Sequence, residues 1–169
     1  MTVLYLVRHG VAADPTPGVP DAERPLTAEG IEKTAMVARG LATLDAFEGV
    51  VLSSPYVRAL QTAEMLADAW QEDAEVMICD ALTPDGSARE LIAFLDHATS
   101  APTVLAVGHM PSLAEITSDL IGASRSARIE FKKASVAMIE FDGPIRLGRG
   151  TLVGLFPPRA LRALGEPLA

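Results

Sequence analysis

The chain has 169 residues, of which 49% are hydrophobic and 21% charged, with a net charge of -8. That length suits one domain, residues 1–169, with a substantial buried core, and the apolar content excludes intrinsic disorder. The acidic balance argues against general nucleic-acid binding, which needs a basic footprint, and a single cysteine, Cys79, excludes an internal disulfide framework or a cysteine-based zinc cluster.

The elements alternate along the chain. Thr2–Val7 is a short β-branched and aromatic run, read as a buried strand that ends at Arg8-His9-Gly10. Thr27 offers an N-cap, and Ile31, Ala35, Ala38 and Leu41 follow at helical spacing. Val50-Val51-Leu52 forms a second strand that closes on Ser53-Ser54-Pro55. Ser54 as N-cap with Pro55 in the first helical position predicts a helix with Leu60, Ala63, Ala67 and Trp70 inward. Glu75–Ile78 is a third strand. Ser87-Ala88-Arg89-Glu90 has the capping-box form and opens a helix to about His97. Thr103–Val107 is a fourth strand ending at Gly108-His109, and Pro111-Ser112 leads into a helix carrying Leu113, Ile116 and Leu120. Ser135–Phe141 and Thr151–Phe156 are the last two strands.

This alternation predicts an α/β fold, a three-layer α/β/α arrangement with a mostly parallel sheet. The last two strands have no helix between them, so an antiparallel edge strand is expected. No apolar stretch reaches the ~20 residues of a membrane span, and Met1–His9 lacks a signal-peptide pattern. The expected setting is cytoplasmic, with no membrane and no nucleic-acid partner. Aromatic residues are only 5%, so the core is expected to be aliphatic.

Ligands of open α/β sheets sit beyond the carboxyl ends of the strands. That rule selects Arg8 and His9 after strand one, Ser53, Ser54 and Arg58 after strand two, and His109 after strand four. A neutral imidazole is a nucleophile able to form a covalent intermediate, a second imidazole can stabilise negative charge when protonated, and guanidinium groups bind phosphate oxygens in a fork. Two histidines and two arginines without a thiol fit phosphoryl transfer through a phosphohistidine, with the charge neutralised by Arg8, Arg58 and protonated His109. A metal site needs a third ligand, and arginines beside a cation are unfavourable. His97, at a predicted helix C-terminus, is read as structural.

These residues carry a resemblance. Val7-Arg8-His9-Gly10, Arg24-Pro25-Leu26-Thr27-Ala28-Glu29-Gly30, Ser53-Ser54-Pro55-Tyr56-Val57-Arg58-Ala59-Leu60-Gln61-Thr62-Ala63 and Val107-Gly108-His109-Met110-Pro111 occur in that order. Together they resemble the motifs of the histidine phosphatase superfamily, the phosphoglycerate mutase-like fold, over about residues 3–157. The resemblance implies His9 as the phosphorylated nucleophile, a phosphate pocket completed by Arg8, Arg58 and His109, and no metal or organic cofactor.

Within the superfamily, the segment after the third strand, Asp80-Ala81-Leu82-Thr83-Pro84-Asp85-Gly86, has Pro84 where mutases and many phosphomonoesterases carry a Glu acid. Met110 stands where the acid-phosphatase branch has Asp. The Leu-Thr-Pro-x-Gly run and the short chain look most like SixA-type phosphohistidine phosphatases. Imidazole is a near-neutral leaving group, so a missing general acid costs least on a phosphoramidate, whereas an ester gains ~10²–10⁴-fold from one. The expected activity is hydrolysis of phosphohistidine on a partner protein. The competing expectation is a small-molecule phosphomonoesterase using Asp85, Asp14 or Glu23 as the acid; a non-catalytic anion-binding module is the third. Arg24 is a candidate substrate-binding residue from the Asp14–Pro25 loop.

Charge is uneven: 16 acidic and 6 basic residues in 1–100, against 6 and 8 in 101–169. Arg125, Arg128, Lys132 and Lys133 gather around Glu130, a solvated edge or a docking patch for an acidic partner.

Overall fold

A computed structural model describes residues 1–44, 49–70, 75–124 and 127–166. Six strands, β1 (Thr2–Arg8), β2 (Gly49–Ser53), β3 (Val76–Ile78), β4 (Thr103–Gly108), β5 (Val136–Phe141) and β6 (Gly150–Phe156), form one sheet in the order β3-β2-β4-β1-β5-β6. β1, β2, β3 and β4 run parallel. Both late strands are antiparallel to their neighbours, with β6 at the edge. Helices α1 (Ala28–Ala42), α2 (Val57–Trp70), α3 (Ala88–Ala98), α4 (Ser112–Ile121) and α5 (Pro158–Gly165) cover the two faces.

The two-residue period of β1 divides the core. Leu4 and Leu6 face one side, where they join Leu91 and Leu95 of α3 and Leu113, Ile116 and Leu120 of α4. Val3, Tyr5 and Val7 face the other, with Val37 and Leu41 of α1, Ala63 and Leu66 of α2, and Leu161 of α5. These are the three layers expected from the alternation. Among the described residues, no helix is long and apolar enough to cross a membrane.

Helix starts agree with the capping rules at two places. Thr27 Oγ1 accepts the Gly30 N–H of α1 at 2.9 Å, and Ser87 Oγ pairs with Glu90 at the start of α3. Ser54 does not cap α2 in this way. Its Oγ accepts the Tyr56 N–H at 3.3 Å and meets His109 Nε2 at 2.8 Å, and the helix begins only at Val57. Two inward assignments shift by a fraction of a turn. Ile31 is exposed while Thr34, Val37, Ala38 and Leu41 are buried, and in α2 Ala59 and Leu66 rather than Leu60 line the core.

The cause in α1 is α5, which lies beyond the elements expected from the sequence. A Cβ on Gly40 would overlap the Leu161 carbonyl, and one on Gly165 would overlap the Met36 carbonyl. The two helices thus cross at backbone contact, and that crossing fixes which face of α1 turns inward. Cys79 is buried just beyond β3 in the core under α3.

Candidate active site

The strand order brings the chemistry together. β1 and β4 are neighbours, with Arg8 opposite Gly108, and β2 lies on the far side of β4. The His9 N–H donates to the Gly108 carbonyl at 3.1 Å and the Ser54 N–H to the Val107 carbonyl at 3.0 Å. Three adjacent strand ends therefore deliver His9, Ser54 and His109 to one spot, with the two imidazole centroids 5.0 Å apart.

His9 is buried at 6% exposure. Its Nδ1 lies 2.7 Å from the Gly10 carbonyl, which can only accept, so the proton sits on Nδ1 and Nε2 is unprotonated. Arg58 Nε–H donates to that Nε2 at 3.3 Å. Burial, with added repulsion from His109, Arg58 and Arg8, pushes the His9 pKa down to about 3. A neutral ring with an unprotonated Nε2 beside a guanidinium is the state a nucleophilic nitrogen requires.

Gly10 holds this turn by close approach: a Cβ there would collide with Thr34 Oγ1, and its N–H donates to Thr62 Oγ1 at 3.0 Å. Thr62 in turn donates to the Arg58 carbonyl at 2.7 Å, which ties the β1 turn to α2.

Arg8 donates from Nη1 to the Phe131 carbonyl at 2.7 Å, while its buried Nε has no partner. An unpaired buried N–H on a cation is costly unless an acceptor arrives. Burial lowers the Arg8 pKa from its usual value, opposed by Glu130.

His109, 2% exposed, has Nε2 at 2.8 Å from Ser54 Oγ. Tyr56 packs edge-on against it at 4.8 Å, and the same ring lies under the Arg58 guanidinium. Burial and then Arg58 hold the His109 pKa down to about 4. His109 is thus held neutral when no anion is bound, because it is desolvated beside cations; the imidazolium expected from the sequence concerns the phosphate-bound pocket.

Arg24 reaches the rim through its loop. It donates from Nη1 to the Ala13 carbonyl at 2.6 Å and from Nε to Asp21 Oδ1 at 2.7 Å. Asp21 also pairs through Oδ2 with Arg58 Nη2 at 2.9 Å, and the Asp21 carbonyl accepts from Arg58 Nη1 at 2.7 Å. Arg58, then Arg24, hold the Asp21 carboxyl below its usual range. Asp21 is the site residue that sequence reasoning missed. The signal was present, since Asp21 precedes Arg24 by three positions in the Asp14–Pro25 loop that supplies that candidate. Gln61, quoted without a role, accepts the Leu26 N–H at 2.8 Å and anchors the loop's far end.

The other candidate carboxylates make no ion pair with Arg8, Arg24 or Arg58 among the described residues. Asp14 and Glu23 are exposed. Asp85 lines a separate cavity of about 530 Å³ with Ile78, Asp80, Thr83, Glu90 and Phe94. Of the basic cluster, Arg125 lies outside the described residues; Lys132 and Arg128 are exposed, and Lys133 is half-buried. Lys133 feels the pocket: burial, then Arg8, Arg24 and Arg58, lower its pKa. Among the described residues no group of three or more His, Cys, Asp or Glu could hold a metal ion.

Residues 4–83 match the model of the histidine phosphatase superfamily, branch 1. An uncharacterized protein of Picosynechococcus sp. is 38% identical over 136 residues, covering 79% of this chain and 81% of its own. The chain belongs to the histidine phosphatase superfamily. It is similar to the phosphohistidine phosphatase SixA of Escherichia coli, 27% identical over 150 residues, 88% of this chain and 89% of that one. A solved structure of the protein histidine phosphatase SixA with tungstate superposes with a TM-score of 0.82 at 26% identity, covering 95% of this chain and 99% of that one. This superfamily member is accordingly a phosphatase with the phosphoglycerate mutase-like fold, SixA-like within its superfamily.

Proposed function

We propose that this phosphatase removes phosphate from phosphohistidine on a partner protein, through a phosphorylated His9. The observation that carries this reading is the Nε2 of His9: unprotonated, fixed in its tautomer by Gly10, and in contact with Arg58. The relatives described above as phosphohistidine phosphatases support the same substrate class.

In the first step the His9 Nε2 lone pair bonds to phosphorus, the phosphorus–nitrogen bond of the substrate breaks, and its electron pair stays on the departing imidazole. Charge on the phosphoryl oxygens is met by the partnerless Nε–H of Arg8, by Arg58 and by His109. A dianion at 5.0 Å-spaced histidines reverses the local field, so His109 takes up a proton as phosphate binds. Water then attacks phosphorus, the bond to His9 breaks, and inorganic phosphate leaves. Arg24 sits at the mouth to meet the substrate. The carboxyl tied to the pocket, Asp21, is ionised and cannot serve as a proton donor, which suits an imidazole leaving group better than an alkoxide.

The test is turnover of a phosphohistidine protein by wild type and His9→Ala, with acid-labile label sought on His9. Abolished turnover and a labelled His9 are expected. Undiminished activity in the variant, or a large kcat/KM preference for sugar or nucleotide monoesters, overturns the proposal.

A further inference from the structure

Asp21 is placed unlike any other carboxylate among the described residues. Its side chain is 55% exposed, yet it pairs with a guanidinium that is only 4% exposed. Oδ1 is taken by Arg24, through Nε and Nη2, both at 2.7 Å. Oδ2 receives one N–H, from Arg58 Nη2, and so keeps a lone pair. Arg58 is a bridge: Nε on His9 Nε2, Nη2 on Asp21. The carboxylate thus stands one guanidinium away from the nitrogen that attacks phosphorus.

His9 itself shows what an imidazole needs in order to exchange phosphate. Its Nε2 is the reacting atom, and the other nitrogen, Nδ1, keeps its proton against the Gly10 carbonyl. With that N–H held, the ring takes or releases phosphorus while remaining a neutral imidazole after departure. The substrate's imidazole passes through the same exchange in reverse, and it requires an acceptor for its own distal N–H. Gly10 serves His9 only; the exposed Oδ2 of Asp21 is the anionic acceptor bound into the same guanidinium.

We propose that Asp21 is a specificity-determining residue that accepts the N–H of the substrate's phosphohistidine at the ring nitrogen not bonded to phosphorus. This rests on the phosphohistidine reading above. The substrate enters with that distal nitrogen protonated. As His9 Nε2 bonds to phosphorus, the phosphorus–nitrogen bond breaks, its electron pair stays on the departing nitrogen, and the positive charge of the ring is cancelled. The leaving group is a neutral imidazole whose N–H stays on Asp21, and no proton is transferred. A phosphate ester has no such N–H, and its developing alkoxide meets a fixed negative charge instead. Asp21 therefore favours phosphoramidates and opposes esters at the same time.

The experiment compares kcat/KM on phosphoimidazole and on p-nitrophenyl phosphate for wild type and Asp21→Asn. The expected result is a fall of about 10- to 100-fold in the ratio of kcat/KM on phosphoimidazole to kcat/KM on p-nitrophenyl phosphate, the size of one charge-assisted hydrogen bond. Equal losses on both substrates make Asp21 a support for Arg58 and overturn the proposal; so does no loss on either. A measurement on wild type alone guards against a variant that fails to fold. Phosphoimidazole methylated at its distal nitrogen is permanently cationic but has no N–H, and it should turn over at least about tenfold more slowly than phosphoimidazole. Equal or faster turnover overturns the proposal. Wild type that hydrolyses esters but neither phosphoimidazole nor a phosphohistidine protein overturns the underlying phosphohistidine reading instead, and this inference falls with it.

Discussion

Two arginine–aspartate pairs in this molecule have the same 2.9 Å separation and opposite meanings. Arg58–Asp21 sits at the carboxyl ends of the parallel strands, with the arginine side chain 4% exposed. Arg146–Asp96 joins the β5–β6 loop to α3, and its side chains are 49% and 46% exposed. In the second pair water screens both partners, so the contact contributes little. In the first, the guanidinium is desolvated and shared between a carboxylate, a backbone carbonyl and a histidine nitrogen. Distance alone does not separate the two; burial and the identity of the third partner do.

The largest expected break in this comparison comes from Arg58. Arg58→Lys keeps the charge but loses the fork that spans His9 and Asp21. kcat/KM on a phosphohistidine substrate should fall about 10²–10³-fold, the range for losing one preorganised donor to transition-state charge. A loss below about threefold would place Arg58 outside the chemistry.

Acid should act next, through the two buried histidines. His9 and His109 have folded pKa values of about 3 and about 4, against roughly 6.5 for an unperturbed imidazole. Between these values the unfolded chain binds more protons than the folded one. Stability therefore rises with pH in this window and is lost as pH falls below about 6.5, by up to roughly 1.4 kcal/mol per pH unit for each histidine. Tm measured from pH 7 to pH 5 should drop, and the slope should become shallower in His109→Gln. The same physics predicts that inorganic phosphate raises the His109 pKa, visible as an imidazole shift at pH 6 by NMR.

A smaller effect divides the basic segment. Lys133 lies within the field of Arg8, Arg24 and Arg58, whereas Lys132 is exposed. Lys133→Glu should raise KM about 3- to 10-fold on any phosphorylated substrate. Lys132→Glu should raise it only on a protein substrate, and unchanged KM there removes docking by that residue. Smallest of all is Arg146→Ala, which should leave kcat/KM unchanged and alter stability by less than about 1 kcal/mol.

Much of this was legible before any coordinates. Leu4 and Leu6 against Val3, Tyr5 and Val7 state the two buried faces of β1 through period two alone. Thr27 and Ser87 announce α1 and α3 through local hydrogen bonds within three residues. α5 has a helix signature of its own, with Pro158 at its first position and Leu161 inward, but its docking on the backbone of α1 at Gly40 is a contact with no sequence period. Ser54 before Pro55 has the signature of an N-cap and its hydroxyl does take the Tyr56 N–H, but the helix starts later, at Val57, and a distant histidine shares that hydroxyl.

The site divides along the same line. Arg8, His9, Arg58 and His109 were legible because each follows a strand end or a motif of fixed spacing, and the order β2-β4-β1 brings those ends together. Local spacing determined which residue types arrive at the rim. Only the tertiary structure decided their states: that His109 is neutral without an anion, that Arg8 carries an unpaired N–H, and that Asp21, rather than Asp14, Glu23 or Asp85, lies on the arginines. Protonation and pairing depend on desolvation and on charges brought close from distant parts of the chain, and those quantities come into being only when the chain is packed.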